Sequence, residues 1–453
     1  RPLCQFFNVL GRGSNVVGDD GASRIIVFKN LNGVEVEIEL NRADLYGDGA
    51  KGVIDRLAAA EMGLFVRDNR SKCLLLDLLA QITPKRRIPT SPRLGWTKDP
   101  AGRVLGFMCP TGEYIAVDPA QPMRLHADAT IQYRQKFGTL EGWKAAASAA
   151  INVTENFYWG VGVAAGFVGP VMGLIGGEPC GMFLAGATSK GKSEALRLAV
   201  SVWATPHEKR GLFFTLNTTA NAIEDLATLG SGTVAAFDEV GAMQNLRDLP
   251  AILFGLSTGA GKSRKRGRGA GLDDGAEFQP FILLTNERPL KASVEGAGGT
   301  YKDGLSVRFP TVDVTGGVKV AGATMDKIAG CASNFGHAGP EFVRYLIAQG
   351  YHTNPDVLRA RYAELVAEIV GDGADAPMKR AGRAFGLVAL AGELAKEAGL
   401  LDGDILPGVI AAFETFKGAD EGRNVSGDDG ILSGFRSWLV GEMGVSVVPA
   451  NEA

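Results

Sequence analysis

Cysteine and histidine are scarce in this chain. Its five cysteines in 453 residues (Cys4, Cys73, Cys109, Cys180, Cys331) are odd in number, far apart and without a C-x-x-C pair. That excludes a disulfide scaffold and suits a reducing cytoplasm, the expected location. The four histidines (His126, His207, His337, His352) are just as scattered, so no zinc site is expected. Neither sign of charge dominates: 47 Lys and Arg against 50 Asp and Glu leave a net charge of −3. The chain is no polycation, and any contact with nucleic acid must come from a local patch. No basic-then-apolar leader follows Arg1. A first residue other than Met leads us to expect a piece of a longer protein. The stretch from Phe157 to Gly177 has no charge and is long enough to cross a bilayer. Gly160, Gly162, Gly166, Gly169, Pro170 and Gly173 interrupt it, so a buried helix pair is expected and no membrane.

What is present fits a globular protein of two or three domains. Apolar residues make up 45% and charged residues 21%, both ordinary values. Arg24 to Leu40 reads as a β-hairpin. Its Asn32-Gly33 is the pair a type I′ turn wants, and Val34, Val36, Ile38 and Leu40 alternate with Glu35, Glu37 and Glu39. Helices are expected over 52–62 and 71–82. A basic, proline-rich linker is expected over 86–92, then short strands to Val117. Thr139 caps a further helix, on which Leu140, Trp143 and Ala147 share a face. Alternating strands and helices run from about 181 to 314. Helices are expected over 340–349, 354–370 and 377–398.

The sharpest motif is Gly186-Ala187-Thr188-Ser189-Lys190-Gly191-Lys192-Ser193, a full G-x-x-x-x-G-K-[ST] between a buried strand and a helix. Such a P-loop turns backbone N–H groups inward at a helix N-terminus and cradles phosphates. Lys192 would reach the β- and γ-phosphates of ATP and Ser193 would ligate Mg²⁺. A second G-K-S, at Gly261-Lys262-Ser263, has Leu256 where the spacing needs glycine, and is rejected. About forty residues after the P-loop, Thr233 to Phe237 form an apolar strand ending in Asp238-Glu239. This is the Walker B arrangement: Asp238 would hold Mg²⁺ and Glu239 would orient and polarise the attacking water.

Phe281 to Asn286 is another apolar strand with a polar end. In AAA+ ATPases such a strand ends in sensor 1, a polar residue near the γ-phosphate; Asn286 is the candidate, a turn-forming Asn the plain alternative. Arg308 follows at the distance expected of an arginine finger, which acts on the transferring phosphoryl group across a subunit boundary. Lys262, Arg264, Lys265, Arg266 and Arg268 lie where some ring helicases insert a pore hairpin, and could track a phosphate backbone by charge. Arg380 and Arg383, one helical turn apart, are both candidates for sensor 2, an arginine reaching the nucleotide of its own or the neighbouring subunit.

In this order the segments resemble the domain-of-unknown-function family 927, MCM-like AAA+ helicases of phages and mobile cassettes. The resemblance rests on Leu94-Gly95-Trp96, on Gly138 to Trp143, and on the P-loop followed by Ser201-Val202-Trp203. Thr215, Asn217 to Glu224, Gly261-Lys262 with its basic tail, and Gly336 to Pro340 add to it, as do Arg383-Ala384-Phe385 and Ala391 to Ala395. The family's sensor 1 strand often ends in Ser-Gly-Glu. Here it is Thr285-Asn286-Glu287, so the sensor stays open between Thr285 and Asn286.

The resemblance implies a homo-hexameric ring, single-stranded or forked DNA as partner, and a primase region on the same full-length chain. The expected fold is α/β: an N-terminal α+β domain (1–93), a β-strand segment and helical lead-in (94–178), an AAA+ P-loop core with a parallel sheet (179–315), and a helical lid and C-terminal region (316–453). The expected function is ATP-dependent DNA unwinding or translocation in replication of a phage or mobile element. Its rivals are a remodelling or loading ATPase and an inactive nucleotide switch. The basic run opposes the first and an intact Lys192, Asp238 and Glu239 the second.

Overall fold

The computed structural model describes residues 2–15, 22–46, 49–91, 93–125, 136–207, 211–216, 220–259, 264–265, 272–273 and 278–425. Asn217, Gly261, Lys262, Arg266 and Arg268 lie outside them. The chain forms two compact units, Arg1–Gln132 and Tyr133–Ala453.

The first unit contains strands β1 (Asn8–Asn15), β2 (Ser23–Lys29) and β3 (Glu35–Asn41), helices α1 (Ala50–Ala59) and α2 (Asn69–Gln81), and strand β4 (Arg87–Ser91). Strands β5 (Gly95–Lys98), β6 (Val104–Met108), β7 (Tyr114–Ala116) and β8 (Arg124–Leu125) complete it. One sheet has the order β3-β2-β1-β4-β8, and β5-β6-β7 form a separate antiparallel meander. Ile26, Phe28 and Leu40 pack with Leu57, Leu75 and Leu79 of the helices. Helix α2 opens on a capping box, in which the Asp68 side chain accepts from the Ser71 N–H, satisfying an otherwise orphaned donor.

Three local expectations are corrected here. The β2–β3 connection is not a two-residue type I′ turn, which needs both central residues at positive φ; Gly33 is at +76° and Asn32 is not in that region. Instead Asn30 N–H donates to Val34 O (2.8 Å), and the Asn30 side chain accepts from the N–H groups of Asn32 and Val34. Glu39 is buried rather than outward-facing, and accepts the Ser23 hydroxyl. The segment expected as a linker is β4, paired parallel with β1 from Arg12↔Arg87 to Asn15↔Thr90. Pro89 is tolerated because β8 pairs only with Thr90 and Ser91, so one side of Pro89 has no strand to miss its N–H.

The second unit begins with α3 (Leu140–Ile151), α4 (Phe157–Ala165) and α5 (Val168–Ile175). Thr139 caps α3 by accepting from Gly142 N–H (3.0 Å). The uncharged stretch is the α4–α5 pair, bent by 57° at the break and buried along nearly its whole length. Among the described residues no single helix is long and apolar enough to cross a membrane.

Then come β9 (Cys180–Ala185), α6 (Lys192–Ser201), β10 (Phe213–Thr215), α7 (Ala220–Leu229), β11 (Val234–Asp238) and α8 (Leu249–Ser257). A short pair, β12 (Arg264–Lys265) and β13 (Leu272–Asp273), precedes β14 (Phe281–Asn286), α9 (Leu290–Gly296), α10 (Gly304–Arg308) and β15 (Thr311–Asp313). Helices α11 (Gly322–Ala329), α12 (Ala338–Ala348), α13 (Asp356–Val370), α14 (Ala376–Glu397), α15 (Leu406–Gly418) and α16 (Asp420–Val425) follow.

The large sheet is wholly parallel, in the order β10-β11-β14-β9-β15. Its strands read as continuous apolar runs because both faces are covered; Phe183, Phe237, Ile282 and Leu284 are buried in one core. In such sheets the carboxyl ends of the strands form the ligand-binding edge. Here β9, β11 and β14 end at that edge side by side.

Candidate nucleotide-binding site

Strand β9 runs from Cys180 to Ala185 and is followed by the glycine-rich loop and α6. Two glycines of the loop are required by what surrounds them. A Cβ at Gly186 would sit 2.9 Å from the Val314 side chain. At Gly191, φ is +79° and a Cβ would come within 2.8 Å of the Trp159 ring. The second glycine therefore meets both a conformational and a steric demand. Ser189 also adopts a left-handed backbone, at φ 63°.

The Lys192 ammonium donates to the carbonyls of Gly186 (2.6 Å) and Ala187 (2.9 Å), folding back over the loop. Burial pushes its pKa below the ordinary lysine value, while the carboxylates of Glu287, Asp238 and Glu239 push it back up. Residues from three strand ends therefore share one electrostatic environment.

The parallel register sets Phe237 beside Leu284, so the next residues, Asp238 and Thr285, meet. Thr285 donates its hydroxyl to Asp238 Oδ1 and accepts the N–H of Glu239 (3.0 Å). Glu239 has φ 56°, a left-handed conformation that costs a non-glycine residue about 1–2 kcal/mol. Asn286 points the other way, as successive strand residues must, and its amide donates to Ser293 Oγ on α9 (2.7 Å). Glu287 accepts a hydrogen bond from the hydroxyl of Thr188 in the loop.

Two buried aromatic residues on α4 support the loop from below. Tyr158 donates to Lys190 O, and Trp159 Nε1 donates to Gly191 O (2.9 Å). Lys190 Nζ in turn donates to Gly317 O (2.8 Å), beyond β15. By its sequence alone the α4 stretch reads as plain core. Polar-tipped aromatics in an otherwise uncharged helix are the available signal, since a buried Tyr O–H or Trp N–H needs an acceptor.

Arg308, Arg380 and Arg383 sit on other elements, α10 and α14. The Arg308 guanidinium donates to Gly304 O (3.1 Å) and stacks over the Phe254 ring at 5.4 Å. Arg380 and Arg383 are exposed on α14. Arg383 is near enough to Cys180 to act on its thiol, and Cys180 opens β9, roughly 17 Å along the strand from the loop. Of the basic run, Arg264 and Lys265 form β12, paired antiparallel with Leu272 and Asp273.

The family model described as a domain of unknown function, DUF927, matches residues 8–271. The chain belongs to the DUF927 family. That match spans the P-loop, Asp238 and Glu239 of this DUF927 protein. A solved structure titled "SCCmec type IV Cch - active helicase" is similar in fold, with a TM-score of 0.68 over 96% of this chain and 78% of that one, at 18% sequence identity. No curated protein matches the chain.

The loop and its neighbours fit a magnesium nucleotide. The glycine positions leave no room for side chains on the loop, and Ser193 and Asp238 offer the hard oxygen donors that Mg²⁺ accepts alongside water and phosphate.

Proposed function

We propose that this DUF927 protein is an ATP-hydrolysing motor of the AAA+ class that unwinds or translocates DNA, in replication of a phage or mobile element. The meeting of Lys192, Asp238, Glu239 and Thr285 at the carboxyl edge of the parallel sheet carries the reading. A fold neighbour described as an active helicase supports it. The backbone of Gly186 to Ser193 and the Lys192 ammonium bind the triphosphate of ATP. Ser193 and Asp238 would hold Mg²⁺, which supplies positive charge to the phosphates. Glu239 orients the attacking water and withdraws its proton. Thr285 positions Asp238 and Glu239, and of the two sensor 1 candidates it is Thr285 that faces these acids, while Asn286, the first candidate, is turned toward Ser293.

Residues 179–315 are in this reading the AAA+ core and 316–453 the helical lid and C-terminal region. The working form is a cytoplasmic homo-hexameric ring, joined in the full-length chain to a primase region and engaging single-stranded or forked DNA. Arg308, held on Phe254 and Gly304 and not on its own P-loop, is suited to reach a neighbouring subunit's nucleotide. Sensor 2 stays open between Arg380 and Arg383; the placement of Arg383 beside Cys180, at the far end of β9 from the P-loop, opposes a reach to its own nucleotide and leaves it the neighbouring subunit's. The basic run is assigned a DNA-tracking role, and the antiparallel pairing of Arg264 and Lys265 with Leu272 and Asp273, in the chain between the strands that end in Asp238 and Asn286, is compatible with it.

ATPase measurement with and without single-stranded DNA tests the proposal. Hydrolysis stimulated by DNA is the expected result. Hydrolysis indifferent to DNA would favour a remodelling or loading ATPase, and an absence of hydrolysis a nucleotide switch.

A further inference from the structure

Glu287 has no part in the proposed hydrolysis, yet it joins two pieces of the site. It follows β14 directly, and its Oε1 takes the hydroxyl of Thr188, 99 residues away in the P-loop. Both residues are exposed, so their hydrogen bond adds little to the stability of the fold. Its effect is electrostatic. It fixes a carboxylate on the rim of a loop that the proposed function assigns to phosphate. Among the carboxylates that act on Lys192, Glu287 acts more strongly than Asp238 or Glu239.

We propose that Glu287 is a release gate for the P-loop: its carboxylate holds Thr188 and, by like charge, opposes phosphate in the same loop, keeping nucleotide affinity low and ADP exit fast. The inference rests on the P-loop being the nucleotide site. Phosphate drawn in by Lys192 and the loop N–H groups must work against the Glu287 charge, and the same charge favours departure once hydrolysis is complete. The carboxylate sits at the end of the strand that carries Thr285 and Asn286, so phosphate in the loop pushes on the end of β14. Among the three carboxylates, Asp238 and Glu239 have tasks in hydrolysis that a neutral residue cannot perform. Glu287 has none, and its charge can be removed without touching the metal ligand or the base.

The test is the affinity of a fluorescent ADP analogue with Mg²⁺ for wild type, Glu287→Gln, Glu287→Lys and Lys192→Ala, at low and high salt. Glu287→Gln should bind about tenfold more tightly, the effect of one nearby charge in a partly solvated site, and Glu287→Lys more tightly still. The differences should shrink as salt rises, because screening weakens exposed charges. In steady state, Glu287→Gln should lower KM and kcat together, as expected when product release limits turnover. A purely structural role predicts otherwise, because the Gln amide oxygen still accepts from Thr188 and the variant would match wild type. Equal or weaker ADP binding by Glu287→Gln, or a gain unaffected by salt, overturns the gate. If Lys192→Ala binds ADP as tightly as wild type, the P-loop assignment is what fails, and the gate fails with it.

Discussion

Thr285 donates its hydroxyl to the carboxylate of Asp238 across two parallel strands, and the same oxygen accepts the N–H of Glu239 at 3.0 Å. One buried threonine thus orients an acid proposed to hold magnesium and fixes the backbone of the acid proposed to activate water. Thr285 is 1% exposed, so water cannot replace it in either bond.

Removing the hydroxyl tests that relationship. Thr285→Val should cost about 1–3 kcal/mol of stability, because the Glu239 N–H and the Asp238 carboxylate both lose a partner in a partly buried place. Thr285→Ser keeps the hydroxyl and should retain both stability and ATPase activity to a large extent. Denaturant melts and ATPase rates of the two variants provide the measurement. A valine variant as stable and as active as wild type would show that the bond orients nothing.

Glu239→Gln should bind ATP and hydrolyse it roughly 10²–10⁴-fold more slowly, because the proposed phosphate and magnesium ligands remain while the proposed base is gone. Nucleotide binding and turnover are measured separately on the same preparation. Turnover at the wild-type rate would remove Glu239 from the mechanism.

Arg308→Ala should lose roughly 10³-fold or more in turnover if its guanidinium acts as a finger, with nucleotide affinity little changed. Its present partners are Gly304 and Phe254, so the stacking over Phe254 is what a reach toward a neighbour must give up. Mixing Arg308→Ala with Lys192→Ala subunits should restore part of the activity, since some interfaces in a mixed ring are intact. Rings shown to mix without rescue would exclude a finger acting in trans.

Replacing Arg264, Lys265 and Arg266 by Ala should flatten the salt dependence of single-stranded DNA binding. Each phosphate neutralised by a cation adds about −0.7 to the log–log slope, so removing all three cations should flatten it by roughly two units. Unwinding should fall, while ATPase without DNA persists, because the proposal gives none of the three a part in the nucleotide site. Affinities at several salt concentrations decide it. An unchanged slope with normal unwinding makes the run a solvated surface.

The sequence by itself determined the glycine-rich loop between β9 and α6, the acidic strand end, the parallel strands and most helices. Each is encoded by neighbouring residues: glycines set the loop's backbone, apolar runs mark strands buried on both faces, and Thr139 marks a helix start. These are short-range properties, and a single chain states them without reference to distant parts. Membership of the DUF927 family was legible in the same local motifs.

Only the tertiary structure decided which polar residue at the end of β14 meets Asp238. Thr285 and Asn286 are adjacent, and one position along a strand turns a side chain from one face to the other. The choice depends on the register of strands whose paired residues are 47 apart in sequence. The same holds for Tyr158 and Trp159, which reach the loop from 32 residues away, and for Glu287 on Thr188. It holds also for β4, whose basic, proline-bearing segment becomes a strand because β1 is there to pair with it. Pairings of this kind arise from how separate elements pack, and no local pattern of residues encodes them.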